Sequence, residues 1–387
     1  MNKYLLAPLI FVLVACAAPK IDPIANLMNK AIENKETPGG VVLVNLRGKT
    51  VYHKAFGNSM VSPRQIPAVK DGLYDLTSLT KLYTATLIMM LHDKDKLDIA
   101  KPVATYLPAF SRPDKATITI EQLLTHCSGL PIIIPTENFT QGLAKAVDNI
   151  AKAALVSTPG TEYLYSDLGY VTASFLAEQV TGKPFDALLK EYIFAPLGLH
   201  STLFTPPATK LDTIAPTNTD DGELLHGVPW SPRTRALGGI GGHSGLFASA
   251  ADVATFGLLF LNDGVVNGKR LLSHKSVMMM TTVRDTMPPG KRRAIGFDFN
   301  TDSAFARGTV FDEDSFGHTG VAGTSLWIDK KLETLVVILC NRSHVNITGK
   351  LKQLRSDIAT VAAKVVTWHR AHPSTGKISQ NLHFNIY

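Results

Sequence analysis

The sequence predicts an α/β lobe packed against an all-α lobe, with a central antiparallel sheet flanked by helices. Three observations predict it. Strand-like apolar runs gather towards the two ends of the chain, at 41–56 and 294–339, and helical segments at 23–36 and 350–368 bracket them. The long stretch between, 77–290, is patterned mainly as helix. At 387 residues, 45% of them hydrophobic and 18% charged, the chain can bury one large core or two closely packed lobes.

The elements follow in order. Lys3 supplies a positive start, and Leu5 to Val14 is an apolar run shorter than the ~20 residues that span a bilayer. It ends in Leu13-Val14-Ala15-Cys16, which resembles a bacterial lipobox. Residues 1–16 then read as a lipoprotein signal peptide, Cys16 as the acylated N-terminus and 17–21 as a tether. Pro23 to Glu36 reads as a helix with Ile24, Leu27, Met28, Ala31 and Ile32 on one face, stopped by Pro38-Gly39-Gly40. Val41 to Leu46 and Thr50 to Phe56, joined by Arg47-Gly48-Lys49, read as a hairpin.

From Leu76-Thr77-Ser78-Leu79-Thr80-Lys81 an apolar helix runs through Leu91. Thr119-Ile120-Glu121-Gln122 is a capping box, and Tyr170 to Val180 and Phe185 to Tyr192 are further helices. Pro206 to Gly245 has little periodicity, and loops of that length in a compact enzyme usually line a site. Strands are expected at Ala294–Phe299, Gly323–Ile328 and Thr334–Leu339, and a helix at Lys350–Trp368. The expected domains are 22–76 with 291–368 for the α/β lobe and 77–290 for the helical lobe, with 369–387 as a polar tail.

The net charge of +7 is dispersed, with no basic helix or Lys/Arg run that would argue for nucleic acid, so a nucleic-acid partner is not expected, whereas an anionic envelope surface is compatible. Beside Cys16 the chain has Cys127 and Cys340, in segments whose patterning favours two buried thiols over a disulfide. No Cys/His spacing resembles a zinc site, and neither metal nor cofactor is expected. The oligomeric state is left open.

Ser78-Leu79-Thr80-Lys81 carries the chemistry. One helical turn puts the hydroxyl and the amine on one face, ~5–6 Å apart at Cβ. An amine there helps a serine attack as a base when neutral or electrostatically when charged, and the helix N-terminus offers N–H groups to developing negative charge. Ser374-Thr375-Gly376-Lys377 repeats the spacing but lies in the tail, without helical pattern or downstream partners. Ser78 has both: Tyr165-Ser166-Asp167 follows Pro159-Gly160 and opens a helix, and His318-Thr319-Gly320 precedes a strand.

With these motifs in this order, the chain resembles the class C β-lactamases, low-molecular-weight penicillin-binding proteins and their esterase relatives, which carry Ser-x-x-Lys, Tyr-x-Asn and Lys-Thr-Gly. The likeness runs from about Pro38 to Arg342 and includes Leu123 to Leu130, Ala236-Leu237-Gly238-Gly239, Gly245-Leu246-Phe247 and Asn341-Arg342. It implies a β-lactamase/transpeptidase-like fold. It implies Ser78 as the nucleophile that carries the acyl group, and Tyr165 or Lys81 as base. The backbone N–H groups of Ser78 and Val321 are implied as an oxyanion hole, with Asp167, His318, Thr319 and Gly320 as substrate-binding positions.

Two positions depart from the β-lactamase pattern. Asp167 stands where asparagine is usual; an acid there pairs with Lys81 but, ionised, donates no hydrogen bond to a substrate amide. His318 stands where β-lactamases have lysine, so fixed positive charge is lost at neutral pH, and a histidine that charges near pH ~6.5 is expected to tune binding of anionic substrates. Histidine here also resembles some DD-peptidases and D-aminopeptidases.

Elsewhere, His126 reads as a backbone holder, and His243 and Ser244 as pocket wall or loop scaffold. Trp230 and Arg233 are candidates for substrate contact, with Trp230 equally suited to filling core. The methionines at 278–280 read as packing. The function expected is a serine acyl-hydrolase of the bacterial cell envelope. It would cleave an ester or amide of a small-molecule or peptidoglycan-derived acyl substrate and be held at the membrane, outer membrane favoured, by lipid on Cys16. The alternatives are a D-Ala-D-Ala carboxypeptidase or endopeptidase, a weak β-lactamase, and a catalytically silent module that binds peptidoglycan fragments.

Overall fold

The computed structural model describes residues 22–299, 306–344 and 351–371. Cys16, the expected signal peptide and tether, and nearly all of the expected C-terminal tail lie outside the described residues.

Six antiparallel strands form the central sheet: β1 Gly39–Leu46, β2 Lys49–Met60, β3 Ile66–Pro67, β4 Phe316–Thr319, β5 Thr324–Asp329 and β6 Thr334–Cys340. Their spatial order is β4-β5-β6-β1-β2-β3, so β1 and β6 meet in the middle, with Leu43 opposite Val337. The β1–β2 hairpin closes on Arg47 and Gly48, both at positive φ (51° and 78°), the geometry that a two-residue turn between twisted strands demands.

The strands read as unbroken apolar runs because both faces of the sheet are covered. Val41, Leu43, Leu326, Ile328, Leu335, Val337 and Leu339 point into one core. That core is shared with the helical half of the molecule and with the Ala250–Leu261 helix, which packs on β1, β5 and β6. Val42, Val44, Trp327, Val336 and Ile338 point the other way. They are covered by helices Pro23–Glu33 and Leu351–Ala371. Alternation therefore assigns each side chain to a core, and a one-residue slip would exchange them.

The Thr80–Asp93 helix is buried all round from Thr80 to Leu91, as expected of a helix at the centre of a helical layer. Its threonines are satisfied internally: Thr86 Oγ1 donates to Leu82 O at 2.7 Å and Thr84 Oγ1 to Gly242 O at 2.6 Å. The Ile120–Leu124 helix opens on the predicted capping box, with Thr119 and Gln122 bonded reciprocally.

The strand expected at 294–299 is absent. Ala294 N–H instead donates to Phe297 O at 3.0 Å across a turn at Gly296 (φ 85°), and only Arg293 and Asp298 make bridge pairs. The apolar character there comes from a buried turn rather than a pleated run. Cys127 and Cys340 are buried and form no disulfide among the described residues. No helix among the described residues is long and apolar enough to cross a membrane.

Candidate active site

Ser78 lies in a 3-10 turn, Thr77–Leu79, that runs straight into the Thr80–Asp93 helix. Thr77 has φ +43°, a left-handed backbone uncommon for a β-branched residue. One turn on, Lys81 is fully buried, and its Nζ donates to Ser78 Oγ at 3.2 Å and to His243 O at 3.0 Å. Its third partner is Asp167 Oδ1, at 2.8 Å. Burial opposes the charge on Lys81, but Asp167 and Tyr165 outweigh it and hold the ammonium above its ordinary range. Burial likewise pushes Asp167 up, and Lys81 with neighbouring cations more than reverses this, so its carboxyl sits below the usual value. The pair is ionised.

Tyr165 reaches the same place from the segment before the Asp167–Thr181 helix. Ser166 caps that helix, accepting Leu168 N–H at 3.2 Å and donating to Pro131 O at 2.6 Å. Lys81 Nζ lies 4.9 Å from the centre of the Tyr165 ring. His126 stacks on the Tyr165 ring, at 4.3 Å between centroids. His126 holds backbone, its Nδ1 accepting Ser166 N–H at 3.0 Å, so the ring both fixes the helix entry and floors the phenol.

His318-Thr319-Gly320 ends β4 and borders the cavity that Ser78, Tyr165 and Val321 also line, a space of roughly 440 Å3. A Cβ on Gly320 would collide with Thr324 Oγ1, Thr77 Oγ1 and Leu76 O, so glycine alone lets this strand end run against the nucleophile turn.

His318 departs from the sequence expectation. Burial, then the charges of Arg293 and Lys81, hold its imidazole well below the ordinary value, so it is neutral through the range in which it was expected to switch. Its Nδ1–H donates to Thr319 O at 2.8 Å, leaving Nε2 as a lone pair.

The fixed cation comes from a residue that sequence reasoning missed. Arg293 is 1% exposed; it donates to Tyr163 Oη at 3.0 Å, lies 3.7 Å from Asp298 and 5.7 Å from the Tyr165 ring centre, and lines the cavity. Arg355 was missed too. From the C-terminal helix it donates to Gly320 O and Thr324 O, both at 2.9 Å, and burial brings its guanidinium down to about 10. Arg342 completes this wall, donating to Val321 O at 2.9 Å. The Nε groups of Arg293 and Arg355 are buried with no acceptor among the described residues.

The remaining candidates serve as frame. His243 contributes its carbonyl to Lys81, while its Nε2 meets Ser231 Oγ at 3.1 Å and Thr234 Oγ1 at 3.2 Å. Ser244 is buried without a partner for its hydroxyl. Arg233 donates to Ile134 O at 3.2 Å, and Trp230, half-buried, is anchored by its backbone N–H. Among the described residues no group of His, Cys, Asp or Glu is placed to hold a metal ion.

Residues 24–358 match the Beta-lactamase family model. The chain belongs to the beta-lactamase family. It is 29% identical over 354 residues, 81% of each chain, to an Escherichia coli protein named "Putative D-alanyl-D-alanine carboxypeptidase". Its fold is that of a class C beta lactamase from Rhodobacter sphaeroides (TM-score 0.70, 21% identity, covering 87% of this chain and 98% of that one). It is likewise that of a Beta-Lactamase/D-Alanine Carboxypeptidase from Pseudomonas syringae (TM-score 0.71, 18% identity, 90% and 98%). This beta-lactamase-family chain is a serine hydrolase.

Proposed function

We propose that the chain is a carboxypeptidase-type hydrolase, forming an acyl-Ser78 intermediate from peptides whose leaving residue bears a free carboxylate, of the D-Ala-D-Ala kind. One observation carries this reading: Arg293, Arg342 and Arg355 line the cavity beside Ser78, and the Nε–H groups of Arg293 and Arg355 are buried with no acceptor among the described residues. Arg293 already faces Asp298 at 3.7 Å, but Arg342 and Arg355 have no carboxylate partner among the described residues, and a planar carboxylate satisfies a guanidinium with bidentate hydrogen bonds. The name of the E. coli relative is consistent with such a substrate.

In this mechanism Tyr165 acts as a phenolate beside the Lys81 ammonium, and Ser78 Oγ attacks the carbonyl carbon as its proton passes to the phenolate oxygen. Lys81 is not the acceptor, because Asp167 keeps it protonated, and His318 is a weak base for the reasons of burial and charge given above. The N–H groups of Ser78 and Val321 take the oxyanion. The C–N bond then breaks as the leaving amine receives the proton from Tyr165. Water attacks the acyl-Ser78 ester, its proton goes to Tyr165, and the C–O bond breaks to restore Ser78 with that proton.

The test compares a D-Ala-D-Ala peptide with its C-terminal amide, using wild type and Ser78→Ala. The free acid should be cleaved at least ~10-fold more efficiently, as loss of a charge-assisted hydrogen bond implies, and Ser78→Ala should cleave neither. Equal cleavage of acid and amide, or turnover of neutral p-nitrophenyl esters alone, would replace this reading with an esterase.

The same reading places the enzyme in the bacterial envelope, lipid-anchored at Cys16. Support comes from the sequence Leu13-Val14-Ala15-Cys16. Metabolic palmitate labelling should be lost in Cys16→Ser, and labelling that persists in the mutant would refute the anchor.

A further inference from the structure

Asp75, which the mechanism does not use, is 2% exposed at the end of the Tyr74–Asp75 strand pair. Its Oδ1 accepts Thr77 N–H at 2.8 Å, and its Oδ2 accepts Trp230 N–H at 2.7 Å. Both bonds lead to the reacting pair. Thr77 adjoins Ser78. Trp230 adjoins Ser231, whose Oγ meets His243 Nε2 at 3.1 Å, and His243 O accepts Lys81 Nζ at 3.0 Å. Lys81 Nζ returns to Ser78 Oγ at 3.2 Å, which closes a ring.

The strained member of this ring is Thr77. A β-branched residue at φ +43° persists only where its surroundings hold it there. Its own hydroxyl contributes no hydrogen bond, being buried without a partner, so the hold is on the backbone. Leu76 N–H donates to Leu246 O at 2.8 Å and Thr324 Oγ1 donates to Leu76 O at 3.0 Å, which fixes the residue before; Asp75 fixes Thr77 itself.

We propose that Asp75 is a positioning residue for the nucleophile, clamping Thr77 in the left-handed backbone that sets the Ser78 turn while tying down the loop that grips Lys81 through His243. It touches neither substrate nor reacting atoms. Burial pushes its carboxyl up to about 6, with Arg235 and the two N–H donors opposing, so at neutral pH the fold carries a charge it would be more stable without. That is the pattern of a group retained for placement rather than for stability.

The proposal rests on the acyl-Ser78 reading, and the experiment separates the two. A fluorophosphonate measures Ser78 reactivity without knowledge of the substrate, and p-nitrophenyl acetate gives kcat and KM. In Asp75→Asn one oxygen still accepts, but the amide NH2 faces the second N–H donor. The labelling rate should fall about 10–100-fold, the scale of a small misplacement of a reacting group. The kcat should fall with it while KM stays within a factor of about two. Adding Thr77→Gly should restore most of the rate, because glycine holds this φ unaided and the lost hydroxyl had no partner.

A wild type that does not label at Ser78 would defeat the acyl-Ser78 reading. A wild type that labels, with Asp75→Asn labelling equally fast, would overturn the role of Asp75. A slow Asp75→Asn that Thr77→Gly fails to rescue would overturn the clamp. Should Asp75→Asn not fold, Ser231→Ala cuts the same ring more gently, and a full labelling rate in that variant would overturn the proposal.

Discussion

Asp167→Asn breaks the ion pair at Lys81 from one side, and its cost can be worked from the geometry. Lys81 is fully buried, whereas the Asp167 side chain keeps 22% of its surface in water, at 2.8 Å from Nζ. Stranding a buried charge costs ~3–5 kcal/mol. The asparagine Oδ1 still accepts from Nζ, and a hydrogen bond to a charged group returns ~1.5–3 kcal/mol. The net expectation is a loss of about 2 kcal/mol at neutral pH, read as a lower urea midpoint with unchanged m.

The pH dependence of that loss has a definite sign. Asp167 titrates below its ordinary value, so its contribution is complete above about pH 4 and is lost as pH falls through the folded value. Lys81 titrates above its ordinary value, so its contribution is complete below about pH 10 and is lost above that. The gap between wild type and variant should therefore be constant from pH 5 to 9 and narrow at pH 3. Identical midpoints at pH 7 would refute the argument that the pair is ionised and coupled.

Further outcomes follow from the same site. Tyr165→Phe should fold with wild-type stability yet turn over ~10²–10⁴-fold more slowly, the usual contribution of a general acid–base group; an undiminished rate would exclude the phenol as base. The ratio of KM values for a matched carboxylate and neutral substrate should stay flat from pH 5.5 to 8, because His318 is neutral throughout that interval. A ratio that changes across pH 6.5 would restore the imidazole as a charge sensor. Arg355→Gln should reduce kcat/KM ~10–100-fold for the carboxylate substrate, the equivalent of a charge-assisted hydrogen bond, and should leave the neutral ester nearly untouched. An equal loss on both would make Arg355 a support for Gly320 only.

What the sequence exposed best was contiguous. Ser78 and Lys81 share a helical turn, Tyr165 and Asp167 flank a helix cap, and His318 to Gly320 end a strand, so local spacing brings each motif to the cleft. What it hid depended on distant chain. Arg293 follows Lys291 and Arg292, and nothing in the spacing separates it from them; the turn at Gly296 folds it in against Tyr163 and Asp298. The same turn explains why 294–299 looked like a strand, since buried turns and short strands are equally apolar. Arg355 is one cation among several on an amphipathic helix, and only the packing of that helix beside Gly320 and Thr324 singles it out. The histidine at 318 was visible, but its charge state was not, because burial and two neighbouring cations decide it.

The two departures from the β-lactamase pattern make sense together rather than separately. Histidine in place of lysine at 318 removes a fixed positive charge, and aspartate in place of asparagine at 167 adds a negative one. Alone, either would alter the field around Lys81. The acid holds the ammonium above its ordinary range, and in the proposed mechanism proton transfer then falls to Tyr165. A second permanent cation at position 318 would then crowd Lys81 and Arg293, both of which already depress the imidazole there. Neutral histidine avoids that repulsion and keeps a lone pair at Nε2. On the proposed reading, the positive charge that would meet a substrate carboxylate comes instead from Arg293, Arg342 and Arg355, which line the cavity. On that reading, charge for binding and charge for proton handling belong to different residues.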